Sequence, residues 1–167
     1  LLLLPILFFL KDEKKKELIQ SQDQTSEELS SKSNILENVK YVSKDTRGNQ
    51  YIIKAIKGEI DYSNPDIIFL SDVEATILLT NSNYVKITSD YGKYNSSNFD
   101  TIFSKNVIVN YLDNKINGEY MDFSIKRGTM IISKNVIYKN PENILKADVV
   151  EMNIETKDTK IFMFNKN

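Results

Sequence analysis

The sequence predicts an all-β domain lying behind an apolar N-terminal segment. Three observations carry that expectation. Apolar and polar residues alternate with period two along most of the chain after Asn34, turn-forming clusters separate the alternating runs, and one run recurs downstream as a weak repeat built on Ser-Lys-Asn-Val. Helices repeat their apolar residues at three and four instead, and no such stripe runs through the chain after Asn34.

The chain opens with LLLLPILFFL, apolar throughout. A membrane-spanning helix takes about 17–25 such residues, so this run is expected to be part of a truncated transmembrane anchor. A signal peptide is the competing reading, but the following KDEKKKELIQ offers no small residues for cleavage, which favours an uncleaved anchor. Pro5 is tolerable within a membrane helix. Lys14, Lys15 and Lys16 pull their flank towards the cytoplasm, and nearby acids leave the orientation open. The polar stretch QSQDQTSEELSSKS that follows reads as a flexible spacer. The expected organisation is an anchor with its charged flank over residues 1–19, a linker over 20–33 and a β domain over 34–167.

Within the domain, YIIKAIKGEI places Ile52, Ile56 and Ile60 on one face with Lys54 and Gly58. In VEATILLT, Ala75, Ile77 and Leu79 share a face; in YVKITSD, Val85 and Ile87 do. MDFSIKR sets Met121, Phe123 and Ile125 against Asp122, Ser124 and Lys126, and VVEMNIE sets Val150, Met152 and Ile154 against Glu151, Asn153 and Glu155. Alternation of this kind marks half-buried strands. Turn signals fall between the runs at Arg47-Gly48-Asn49, Ser63-Asn64-Pro65, Asn81-Ser82-Asn83, Asp113-Asn114-Lys115, Lys126-Arg127-Gly128 and Asn140-Pro141-Glu142. The run IFSKNVIVNY at Ile102–Tyr111 returns as IISKNVIYKN at Ile131–Asn140, an offset of 29 residues. A repeated hairpin-sized unit fits a sandwich, a jelly roll or a β-solenoid.

Composition narrows the function. The chain has 167 residues, with 22 Lys+Arg against 23 Asp+Glu and no His, Cys or Trp. Without imidazole or thiol, Ser-His-Asp and Cys-His nucleophilic sites are excluded, as are ordinary zinc sites. The near-neutral charge, and the reliance on lysine with Arg47 and Arg127 as the only arginines, argue against nucleic-acid recognition. Asp90, Asp100, Asp113, Glu119 and Asp122 fall in turns or on polar strand faces, where solvated carboxylates rather than an acid–base pair are expected. Asp113–Glu119 lacks the ligand pattern of an EF-hand, since Lys115 and Ser124 stand at ligand positions. No metal and no cofactor is expected.

The order of segments SNILENVKYVSKDTRGNQYIIKA, DIIFLSDVEATI, ITSDYGKYN, FDTIFSKNVIVNY, GEYMDFS, ISKNVIYKN and LKADVVEMNIETKDTKIFM resembles the LptC family from about Ser33 to Met163. The patterns at Gly92–Tyr94, Ser133–Val136 and Ala147–Glu151 are also similar to the related bridge component LptA. The resemblance implies a twisted open β-jelly roll of the OstA-like type, preceded by the N-terminal transmembrane helix. It implies no enzymatic activity. It further implies a single-pass protein of the bacterial inner membrane whose periplasmic β domain holds lipopolysaccharide acyl chains in an apolar groove. The implied partners are lipopolysaccharide, the membrane subunits LptF and LptG with the ATPase LptB, and the periplasmic bridge protein LptA.

Apolar strand faces suit that role, since each buried methylene contributes about 0.8 kcal/mol and Met and Phe adapt to irregular chains. The faces include Ile52, Phe69, Val85, Val109, Ile131 and Val150, and the residues expected to meet lipid are Ile77, Leu79, Ile87, Phe103, Val107, Met121, Phe123, Ile125, Val136, Met152 and Ile154. By themselves these residues equally well close an ordinary core; the resemblance is what turns them towards a groove. The terminal run TKIFMF is apolar on both faces, so Lys160, Ile161, Phe162, Met163 and Phe164 read either as a docking edge or as a buried central strand. The alternative function is a soluble periplasmic carbohydrate- or lipid-binding β-sandwich, with Tyr91, Tyr94 and Tyr111 as the candidate sugar-stacking rings.

Overall fold

A computed structural model describes residues 34–164. The expected anchor over 1–19 and the linker over 20–33 lie outside the described residues, as do the last three residues of the expected domain. The described chain is all-β: β1 (Ile35–Lys44), β2 (Gln50–Ile60), β3 (Ile67–Leu78), β4 (Tyr84–Asn95), β5 (Thr101–Tyr111), β6 (Asn114–Ser124), β7 (Thr129–Lys139), β8 (Ile144–Asn153) and β9 (Thr159–Phe162). All nine form one open sheet in sequence order, and every neighbouring pair is antiparallel.

The turn signals read from the sequence sit between strands, except that Asn114 and Lys115 already open β6. Asn and Asp side chains hold the turns by accepting from amides two to four residues on, as Asp45 does from Arg47 and Asn49, Asn140 from Glu142 and Asn143, and Asn153 from Glu155 and Thr156. One further turn, after β4, rests on Asn95 in the same way.

A flat sheet of this width buries neither face. Here a line of irregular positions crosses it, from Asn38 on β1 through Ile56, Asp72 and Asp90 to Lys105-Asn106, Glu119, Lys134-Asn135 and Asp148. The register shifts there in four successive strand pairs, and Asn38, Asp72, Lys105, Asn106, Lys134 and Asn135 adopt positive φ. Bulges bend a strand and raise its twist, so the sheet folds over along this line. Rings from strands that do not pair then meet inside: Tyr41 stacks on Tyr94 with centroids 4.7 Å apart, and Tyr51 lies 5.7 Å from Phe123.

The bulge line also changes which residues point inward. On β2 the buried residues are Tyr51, Ile53 and Ala55 before the bend and Gly58 after it. Ile56, expected inside with Ile52 and Ile60, is 63% exposed, because before the bend Tyr51, Ile53 and Ala55 point inward and Ile56 shares the outward face of Lys54. The same one-residue change of phase runs from Leu70 to Val73, from Ser89 to Gly92 and from Gly118 to Met121. It turns Phe69, expected among the groove residues, outward at 46% exposure. Ile52 and Ile131 are only half-buried.

Candidate functional site

The interior is a single apolar cluster that runs from β2 to β8. Of the residues expected to meet lipid, Ile77, Leu79, Ile87, Phe103, Val107, Met121, Phe123, Val136, Met152 and Ile154 are all buried in it. Ile125, just beyond the end of β6, is half-buried against the same cluster. Alternation located these side chains correctly because each lies on a strand stretch whose phase no bulge disturbs. The sequence reading did not single out Tyr51, Leu70, Ile116, Met130 and Ile132, which share the interior. For Tyr51, Leu70 and Ile116 the signal was the same alternation, measured from the far side of the bend, whereas Met130 and Ile132 keep the phase of Val136 and lie on the face of β7 opposite Ile131.

Tyr41, Tyr51, Tyr94, Phe99, Phe103 and Phe123 line a cavity in this interior, together with Ile53, Ala75, Ile77 and Ile87. Its free volume is about 10 Å³, the room of about one water molecule. The surface it exposes is mostly apolar, although Ser43, Thr76 and three tyrosines are among the lining residues. Burial pushes the Tyr94 hydroxyl up to about 12, and the neighbouring Tyr41 adds to the shift. Tyr94 is thus an interior ring, 4% exposed, and not the surface platform for sugars that the alternative reading required. Tyr111 is half-buried against the core, and the ring of Tyr91 lies under the ammonium of Lys105.

The turn between β1 and β2 joins two residues that line the cavity, Ser43 and Tyr51. Asp45 accepts from the Asn49 side chain, from the Tyr51 hydroxyl at 2.8 Å and from the amides of Arg47 and Asn49. Partial burial raises the Asp45 pKa, but the four hydrogen bonds together outweigh it and hold the carboxyl below its usual range. Burial, and then the hydrogen bond to Asp45, push the Tyr51 hydroxyl upward. Arg47 reaches across to Glu155, in the turn between β8 and β9, at 2.6 Å.

The two lateral edges of the sheet differ. β9 pairs only with β8, through Val149–Met152, so its own outer edge and the side of the β8 stretch Ile144–Asp148 that faces away from β7 carry no strand among the described residues. Lys160, Ile161, Phe162, Met163 and Phe164 are all exposed. The TKIFMF run is therefore an edge strand and not a central one. Ile144 and Leu145 add further exposed apolar surface beside it.

Enzymatic arrangements are not assembled. Asp122 is paired with Arg127 and Asp90 accepts from Asn106, while Asp100, Asp113 and Glu119 lie on separate turns and strands. No group of three or more His, Cys, Asp or Glu side chains converges on a metal-sized site among the described residues. Nor is any helix among them long and apolar enough to cross a membrane.

No curated protein matches the sequence at a significant level. A family model described as "Lipopolysaccharide-assembly, LptC-related" matches residues 1–162, from the apolar N-terminal run to the last residue of β9. That span takes in the folded sheet, its interior and its open edge, and the chain belongs to the LptC family, as a lipopolysaccharide transport component of the bacterial envelope and not an enzyme.

Proposed function

We propose that the folded sheet is an open β-jelly roll that carries lipopolysaccharide acyl chains between its two layers. In this reading residues 1–19 anchor the chain in the inner membrane, residues 20–33 space it, and the β domain lies in the periplasm. The roll receives lipid from the LptF and LptG subunits, driven by the ATPase LptB, and passes it to LptA at the β9 edge. The observation that supports the reading is the continuous apolar interior of an open sheet, with aromatic rings from non-neighbouring strands closing on a seam that has room for about one water molecule. Each methylene entering such a seam contributes about 0.8 kcal/mol, so an acyl chain can offset the separation of the layers.

A photocrosslinking residue at Phe123 tests this directly. Phe123 is 3% exposed and faces the seam, whereas Tyr91 is 47% exposed on the outer face. Lipopolysaccharide is expected to crosslink at Phe123 and not at Tyr91. Crosslinking at Tyr91 alone favours the carbohydrate-binding module and removes the conduit.

A further inference from the structure

The end hairpins of the sheet are far apart in strand order, yet their turns meet. Arg47 lies between β1 and β2, Glu155 lies between β8 and β9, and their charged groups are 2.6 Å apart. Among the described residues the other ion pairs, Lys86–Glu74 and Arg127–Asp122, join neighbouring strands or a strand to its own turn. Among the described residues the pair between the end hairpins is the only ion pair that ties opposite flanks of the roll together.

Both partners are held in place. The Arg47 amide donates to Asp45 at 3.0 Å, and Asp45 is in turn bound by Asn49 and Tyr51. The Glu155 amide donates to Asn153 at 2.8 Å, while its carboxylate rests against Gly128, where an added Cβ would stand 3.3 Å from Oε1. Gly128 takes φ +64° and accepts from the Ile154 amide, so the turn after β6 supports the turn after β8. Behind this contact sits the Tyr51–Phe123 ring pair at the wall of the aromatic cavity. An ion pair with both members half-exposed contributes little to overall stability. Its position gives it a different effect, because separating the two flanks at this rim breaks it while leaving every backbone ladder intact.

We propose that the Arg47–Glu155 pair is a latch on this mouth of the roll, and that an acyl chain enters between Tyr51 and Phe123 when the pair parts. The latch rests on the reading of the interior as a lipid groove. It sets how often the mouth opens, not whether the sheet folds.

The test uses the full chain in membranes, with the photocrosslinking residue at Phe123 and lipopolysaccharide as the probe. Arg47→Ala and Glu155→Gln are each expected to raise the initial crosslinking rate about two- to fivefold, the range an exposed pair represents. The double charge swap Arg47→Glu with Glu155→Arg is expected to return it towards the wild-type rate. The chain has no cysteine, so Arg47→Cys with Glu155→Cys can be bridged cleanly by a short bismaleimide, which is expected to suppress crosslinking that the unbridged pair allows. Equal rates in wild type and both single variants, or undiminished crosslinking in the bridged protein, overturn the latch alone. Absence of crosslinking in every variant overturns the groove reading itself, and the latch with it.

Discussion

Gly118 shows how closely the two sides of the bend are packed. It lies on the inner face of β6 beside the register shift, and a Cβ there would stand 2.6 Å from the Ile132 methyl and 3.3 Å from the Ser133 carbonyl. Ile132 is fully buried, and Ser133 is held in the ladder to β8, so neither side can yield cheaply. Overpacking of this kind costs about 1–3 kcal/mol. Gly118→Ala is therefore expected to lower the melting temperature by about 2–12 °C, taking about 2–4 °C per kcal/mol for a chain of this size. Thermal unfolding by circular dichroism measures it, and an unchanged midpoint would show that the sheet relaxes at the bend. Residues were legible in the sequence wherever alternation ran unbroken, as at Ile77, Val85 and Met152. They were misread at Ile56, Phe69 and Tyr94, where the change of phase at the bend reverses the side a pattern of period two assigns.

At the scale of elements, the duplicated Ser-Lys-Asn-Val is a bulge used twice. In both copies Lys and Asn take positive φ, at 60° and 50° in β5 and at 64° and 54° in β7. Each serine pairs with a tyrosine on the preceding strand, Ser104 with Tyr91 and Ser133 with Tyr120, and each lysine ammonium sits over that ring, at 5.2 and 5.6 Å. Asn is among the few side chains that adopt this backbone readily, whereas a β-branched residue does not. Asn135→Val is expected to cost about 1–2 kcal/mol and to shift the urea midpoint downward, while Asn135→Gly leaves it near the wild-type value. Equal losses in both variants would assign the effect to lost side-chain contacts instead of backbone strain. The repeat was visible in the sequence, but its meaning was not, because alternation does not report φ. β1 was invisible for another reason: none of its residues is fully buried, so it carries no clear apolar face.

At the scale of the whole sheet, every described strand pairs with its sequence neighbours, and the last pairing, β8 with β9, is the shortest. β9 has four residues, all exposed, facing four positions of β8, with one further bond from the Phe164 amide to Asp148. Its few net hydrogen bonds, at about 0.5–1.5 kcal/mol each, are offset by about 1–2 kcal/mol of backbone entropy per ordered residue. Removing residues 160–167 is therefore expected to leave the fold and its unfolding midpoint nearly unchanged, since Val150 and Met152 keep their places in the core through β7. The same deletion takes away an apolar, unpaired edge of the kind to which another sheet adds by backbone pairing. With the fold preserved, co-purification of LptA is expected to disappear. A truncated protein that keeps its circular dichroism spectrum and still retains LptA would move the docking site away from β9, and the open Ile144–Asp148 stretch of β8 would be the next edge to block.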